Sequence, residues 1–200
     1  MKNKKGFTLI ELLAVIVILG ILLAIAIPNV SKYINSSRKD TFITNVQSYT
    51  KAARQESISL SNSYQLPVNT DDAIVITFHA LEKAIESGGK TSPYGGTWWT
   101  DSNENLSYVV IVNGGTADNP DYKYYVAAID SKGYAIGDPD TTSSSAILDK
   151  DLKQKNVVHV GANAGISYED VTKTGKPLAG KTIKYVYSYA HPNGVEYGSN

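Results

Sequence analysis

From Phe7 to Ile27 the chain is apolar except at Thr8 and Glu11. Wound as a helix, that run is roughly 30 Å long, about the thickness of the hydrocarbon core of a bilayer. A chain that begins this way must leave the run in lipid or bury it in a bundle of partners. Lys2, Lys4 and Lys5 precede it and mark the cytoplasmic end, although Lys32, Arg38 and Lys39 follow closely and make the charge bias small. Glu11 is the exceptional residue. A carboxylate inside such a segment costs a few kcal/mol unless it is paired, so its presence points to function.

A short basic leader ending in Gly6, followed by Phe7-Thr8-Leu9-Ile10-Glu11 and a long apolar helix, resembles the type IV pilin signature. That class-III signal is common to type IV pilins and the pseudopilins of type II secretion. It covers roughly the first 30 residues closely, and the remainder matches only in general layout. The resemblance implies cleavage between Gly6 and Phe7 by a prepilin peptidase and N-methylation of the new Phe7 amine.

Physical chemistry supplies a role for Glu11 in that setting. After cleavage Phe7 carries an ammonium, and in a staggered bundle of identical helices the amine of one chain can meet the Glu11 carboxylate of another. Two charges buried together cost far less than two buried apart. Phe7 and Glu11 would then set assembly register, as a buried polar residue does in a coiled coil. In a plain membrane anchor Glu11 would instead snorkel to the headgroups. A conventional secretory signal is the other alternative. Ala24-Ile25-Ala26 has the A-x-A form and would start the mature chain at Ile27, but Glu11 and the length of the run oppose it.

The precursor is neutral, with 19 basic and 19 acidic residues, and loss of the leader lysines leaves it slightly acidic. No basic cluster follows the leader, so no nucleic-acid partner is expected for the head. The chain has no cysteine, which excludes thiol chemistry and cysteine metal sites. Many Gram-negative pilins close a C-terminal loop with a disulfide, so the resemblance points to a Gram-positive source. Fourteen tyrosines against three phenylalanines suit a β-rich extracellular head.

Beyond Pro28 the helix should continue. Val30, Tyr33, Ile34, Phe42, Val46, Tyr49 and Ala53 form one apolar stripe, which fades by residue 58. Gly20 and Pro28 are weak points in that helix. In filaments of the resembled class the stretch between such residues melts locally, and a simple kink is the alternative. Residues 61–106 read as a connection holding one short helix, Phe78–Ser87, capped by Thr77 and stopped at Gly88-Gly89. Trp98 and Trp99 are expected to cover the core rather than form a carbohydrate platform. A strand meander is expected over 106–112, 122–130 and 133–136, with further strands at 157–160 and 182–189. A short helix is expected over 146–153, and a surface excursion over 170–180.

Little else promises chemistry. His79, His159 and His191 are dispersed, so no enzyme is expected. Asp71-Asp72, Asp118–Asp121 and Asp138–Asp140 could ligate calcium, but acidic residues beside Pro or Asn are ordinary in turns. No metal or cofactor is expected. Thr141–Ser145 reads as a solvated loop that O-glycosylation could use.

The sequence thus predicts an α+β chain: a cleaved leader 1–6, a long helix 7–58 (apolar over 7–27, amphipathic over 28–58) and a head 59–200 with an antiparallel sheet, in the manner of a type IV pilin. The expected function is a pilus subunit that polymerises through its helix for adhesion, surface motility and aggregation. Expected partners are copies of itself, a prepilin peptidase, the assembly machinery, the cytoplasmic membrane before assembly, and host or abiotic surfaces. The alternatives are a pseudopilin of a secretion or DNA-uptake apparatus and a membrane-anchored extracellular binding module.

Overall fold

A computed structural model describes residues 6–59, 64–85, 89–101, 103, 106–140, 143–162 and 165–198. The leader lysines, the helix stop at Gly88 and Thr141 lie outside these. The chain divides into two compact units, Met1–Arg38 and Lys39–Asn200.

In the first unit the described residues from Leu9 onward belong to helix α1, which spans Leu9–Ile58 in all. Leu12, Ile16, Leu19, Leu23 and Ile27 are all more than half exposed, and the helix is apolar all round. Such a surface belongs in lipid or in a helix bundle. The helix runs unbroken through Gly20 and Pro28. Pro28 has no N–H to offer the Ala24 carbonyl, and one residue on the Asn29 amide donates to the Ile25 carbonyl at 3.1 Å.

The second unit is built on a six-stranded sheet. Its strands are β1 (Asp72–Thr77), β2 (Tyr108–Asn113), β3 (Tyr122–Ala127), β6 (Ile147–Leu148), β8 (Thr182–Tyr187) and β9 (Val195–Glu196), ordered β6-β3-β2-β1-β8-β9. Antiparallel pairs dominate, but β1 and β8 run parallel, so the sheet is mixed. A second sheet of β4 (Tyr134–Asp138), β5 (Ser143–Ser144) and β7 (Val157–His159) has the order β5-β4-β7.

Both faces of the central strands are covered. Ile74, Ile76, Val109, Ile111 and Val126 face the last turns of α1, where Phe42, Val46, Tyr49 and Ala53 are fully buried. Tyr49 stacks on Phe78 at 3.9 Å, and Trp98 meets Phe42 edge-on at 4.8 Å. Trp98 and Trp99 are thus core residues. Ala73, Val75, Val110 and Val112 point the other way, onto Ile166, Val171 and Leu178.

This second cover accounts for several departures from the sequence expectations. The connection 61–106 contains β1, the central strand. Its run Ala73-Ile74-Val75-Ile76 is continuous rather than alternating because both faces are buried. Residues 78–84 form successive i→i+3 turns instead of a helix, and the Thr77 hydroxyl accepts from the Ala80 amide. The excursion 170–180 is a lid on the sheet. It begins in the short helix α2 (Tyr168–Thr172), and Val171 and Leu178 are buried. The expected helix over 146–153 is instead β6 followed by a 3-10 turn, Asp149–Asp151, because Ile147 and Leu148 pair with β3. Between β1 and β8 the register shifts after Ala73, since Ala73 and Ile74 pair with Ile183 and Tyr185. Lys184 is the extra residue, so Ile183 faces one core and Tyr187 the other. A strand over 182–189 that alternated strictly, with Ile183 and Tyr187 on one inward face, is the pattern its sequence suggests, and the extra residue breaks it.

The meander also breaks after β3, and Asp130 turns the chain there. Its carboxylate is buried and accepts the Ser92 hydroxyl and, at 2.9 Å each, the amides of Lys132 and Tyr134. Gly96 leaves room for it, since a Cβ there would lie 2.5 Å from the Asp130 Cγ. Replacing Asp130 with alanine orphans three donors at about 1–3 kcal/mol each. The expected result is a fall in melting temperature of ten degrees or more on the roughly 2–4 °C per kcal/mol scale for domains of this size.

Candidate processing and assembly site

The site begins where the helix begins. Leu12 N–H donates to the Thr8 carbonyl at 3.2 Å, which makes Thr8 the N-cap. Glu11 is the third helical residue, and its Oε2 accepts the Thr8 amide at 2.7 Å and the Thr8 hydroxyl at 2.8 Å. In return the Glu11 amide donates to the Thr8 hydroxyl at 3.3 Å. This is a reciprocal capping box, in which two N–H groups that the first turn leaves without helical partners are satisfied. A favourable helix-dipole term adds to it, since the carboxylate sits in the first turn.

Sequence reasoning named Glu11 and passed over Thr8, treating it only as an interruption of the apolar run. The signal was present: Thr-x-x-Glu immediately before an apolar helix is the spacing of a capping box. The pairing lowers the cost of holding a carboxylate in an apolar segment, because part of its hydrogen-bonding demand is met by its own chain. Among the described residues Oε1 accepts no hydrogen bond, so one oxygen is left for a donor from outside the chain.

Gly6 and Phe7 lie just outside the helix, and the Phe7 ring is 90% exposed. A Cβ at Gly6 would meet nothing within 4 Å. Gly20 is equally open. Gly6, Phe7, Thr8 and Glu11 therefore form one cluster at the helix start, whereas Gly20 and Pro28 lie several turns along.

The histidines of the second unit and two of the acidic residues singled out from the sequence are committed to structure. His79 stacks between Trp99 and Tyr189, His159 contacts the Lys132 carbonyl, and His191 contacts Ser188. Asp72 accepts the Asn69 amide, and the Asp138 carboxylate accepts the Asp140 amide. Among the described residues no group of three or more His, Asp or Glu side chains is placed to hold a metal. Burial pushes the Tyr64 phenol up to about 12 and raises Tyr49 and Tyr108 as well, so all three stay protonated in the physiological range.

Residues 1–27 match the family described as the prokaryotic N-terminal methylation motif. The match contains the apolar run Phe7–Ile27 and supports the type IV pilin and pseudopilin class for this N-terminal segment. It implies processing by a prepilin peptidase, delivery to an assembly machinery and a membrane-anchored precursor. The chain is also similar to the ComG operon protein 3 homolog of Bacillus licheniformis, with 57% identity over 37 residues. That match spans 18% of this chain and 38% of the relative. No solved structure matches the chain.

Proposed function

We propose that this chain is the structural subunit of a type IV pilus, assembled through α1 into a surface filament that serves adhesion, surface motility and aggregation. The observation that carries the proposal is the join of three features at one helix end: the methylation motif, the Thr8–Glu11 box and an apolar surface with no cover in its own chain. In the filament the exposed apolar side chains of α1 pack on neighbouring copies, and the Phe7 ammonium of one copy reaches the free Oε1 of Glu11 in another. Gly20 and Pro28 let the helix loosen locally as it enters the bundle. The chain has no part in catalysis.

The cut falls between Gly6 and Phe7. Because a Cβ at Gly6 meets nothing within 4 Å among the described residues, Gly6→Val tests the peptidase. The expected product is an unprocessed precursor, read by intact-mass spectrometry. A mature chain beginning at methylated Phe7 would refute the site.

A pseudopilin of a secretion or DNA-uptake apparatus is the second reading, favoured by the similarity to the ComG operon protein 3 homolog over 37 residues. Immunogold electron microscopy separates them. A pilus subunit labels fibres that extend from the cell surface and vanish when the gene is deleted. Labelling confined to the envelope, with loss of secretion or DNA uptake on deletion, overturns the pilus.

A further inference from the structure

A groove on the second unit remains without a role. At one end it is lined by Tyr168, Tyr197, Asn103 and Asp170 and has a volume of about 460 Å³. At the other it is lined by Ser143–Ser145, Lys173 and Lys176 and has a volume of about 240 Å³. Gly165, Ile166 and Asp170 line both, so the two are adjacent and are treated as the two ends of one groove. That size falls within the roughly 300–1,000 Å³ range of small-ligand sites.

Its two ends differ in chemistry. Tyr197 is 40% exposed, and its ring meets Tyr168 at 5.7 Å and 72°, giving an L-shaped aromatic wall. Tyr168 in turn rests edge-on against the buried Tyr108, which fixes it. Tyr168 is itself buried, so the open face is that of Tyr197, which receives the C–H face of a sugar ring against the edge of Tyr168, while the Tyr197 phenol and the Asn103 amide match ring hydroxyls. At the other end Asp170 is already neutralised by Lys173 at 2.6 Å, and that pairing holds its carboxyl below the usual range. Lys176 is half-buried beside three serines, and among the described residues no carboxylate lies within ion-pair distance of it. Among the described residues the groove therefore carries one ammonium in excess, in a lining that also holds hydroxyl groups able to share an anion.

We propose that this groove binds an acidic carbohydrate, with a sugar ring against Tyr197 and Tyr168 and its anionic group on Lys176. The site lies wholly in the second unit and does not depend on filament assembly.

The test is amide chemical-shift titration of the full-length mature chain in a detergent without a sugar headgroup. The probes are a hyaluronan tetrasaccharide, which carries glucuronate, and chitotetraose, which is neutral. Saturable shifts are expected at Gly165–Lys176 and at Tyr197, with hyaluronan binding about tenfold tighter, as one charge-assisted contact gives. Lys176→Gln should erase that preference and leave chitotetraose unchanged. Tyr197→Ala should weaken both probes about tenfold. Absence of saturable shifts with either probe overturns the proposal. So does equal affinity for the two, or binding that neither substitution alters. Because fibres play no part in the readout, failure here and failure of the pilus proposal are separate results.

Discussion

Cells carrying Glu11→Ala are expected to hold normal amounts of processed subunit in the membrane and to display few or no fibres. The substitution acts on two interactions with different reach. Within the chain it removes the Oε2 bonds to Thr8, a helix-end loss of about 1 kcal/mol. Insertion offsets that, because a carboxylate in the first turn of a spanning helix still costs more to insert than alanine, although less than the roughly 2.5–3.5 kcal/mol of a helix centre. Membrane level should therefore hold. Between chains the substitution leaves the Phe7 ammonium of a neighbour buried without a counter-charge, which costs about 3–5 kcal/mol at every subunit junction. A penalty repeated at each step of polymerisation stops growth. Thr8→Val separates the two effects, since it removes the hydroxyl of the box and keeps the carboxylate. It should cost fibre yield little. Wild-type yield from Glu11→Ala, measured by shearing and immunoblot, would sink the idea that the carboxylate sets register. Loss in Thr8→Val equal to that in Glu11→Ala would place the effect in the cap instead.

The N-terminal part of this molecule was legible in the sequence because its physics is one-dimensional. An uninterrupted apolar run, a carboxylate inside it and a stripe at helical spacing need no knowledge of what packs where. Phe42, Val46, Tyr49 and Ala53 are accordingly among the residues that α1 buries, whereas Val30, Tyr33 and Ile34 of the same stripe are exposed. The capping box was equally readable and was missed because Thr8 was weighed only as a break in hydropathy.

The second unit resisted for a different reason. The position of β1 depends on strands that follow it by some distance in sequence, and a strand buried on both faces has no alternation to show. Ala73-Ile74-Val75-Ile76 reads as a short apolar run until β2 and β8 are seen to flank it. The lid over 168–180 was hidden likewise. Its Gly, Lys and Thr residues signal a surface loop, and only Val171 and Leu178, buried against the back of the sheet, make it a layer. The groove proposed here arises from that lid meeting residues 103 and 197, a neighbourhood no local pattern contains.

The largest effect on stability is expected from ending the chain at Gly180. Strand β8 runs parallel to β1 and pairs with it from Asp72 to Ile76. Its Ile183 and Tyr187 are buried on opposite faces of the sheet, at 6% and 0% exposure. Each contributes roughly 1.5–3 kcal/mol. The Tyr187 phenol also accepts the Gln65 amide at 2.7 Å, and its ring meets Tyr64 edge-on at 4.5 Å. Removing β8 further strips the ladder from one side of β1, leaving backbone groups of a buried strand unpaired at about 1–3 kcal/mol each. With no disulfide in the chain to hold the remainder, these losses match or exceed the ~5–15 kcal/mol by which a typical domain is stable. A chain ending at Ala190 keeps β8 and loses β9, whose two residues are exposed. It should melt cooperatively within a few degrees of the full chain. The chain ending at Gly180 should show no cooperative transition in near-ultraviolet circular dichroism. A sharp melt of that shorter chain at the full-length temperature would mean that β1 is held by β2 and α1 alone, and that β8 lies on the sheet without supporting it.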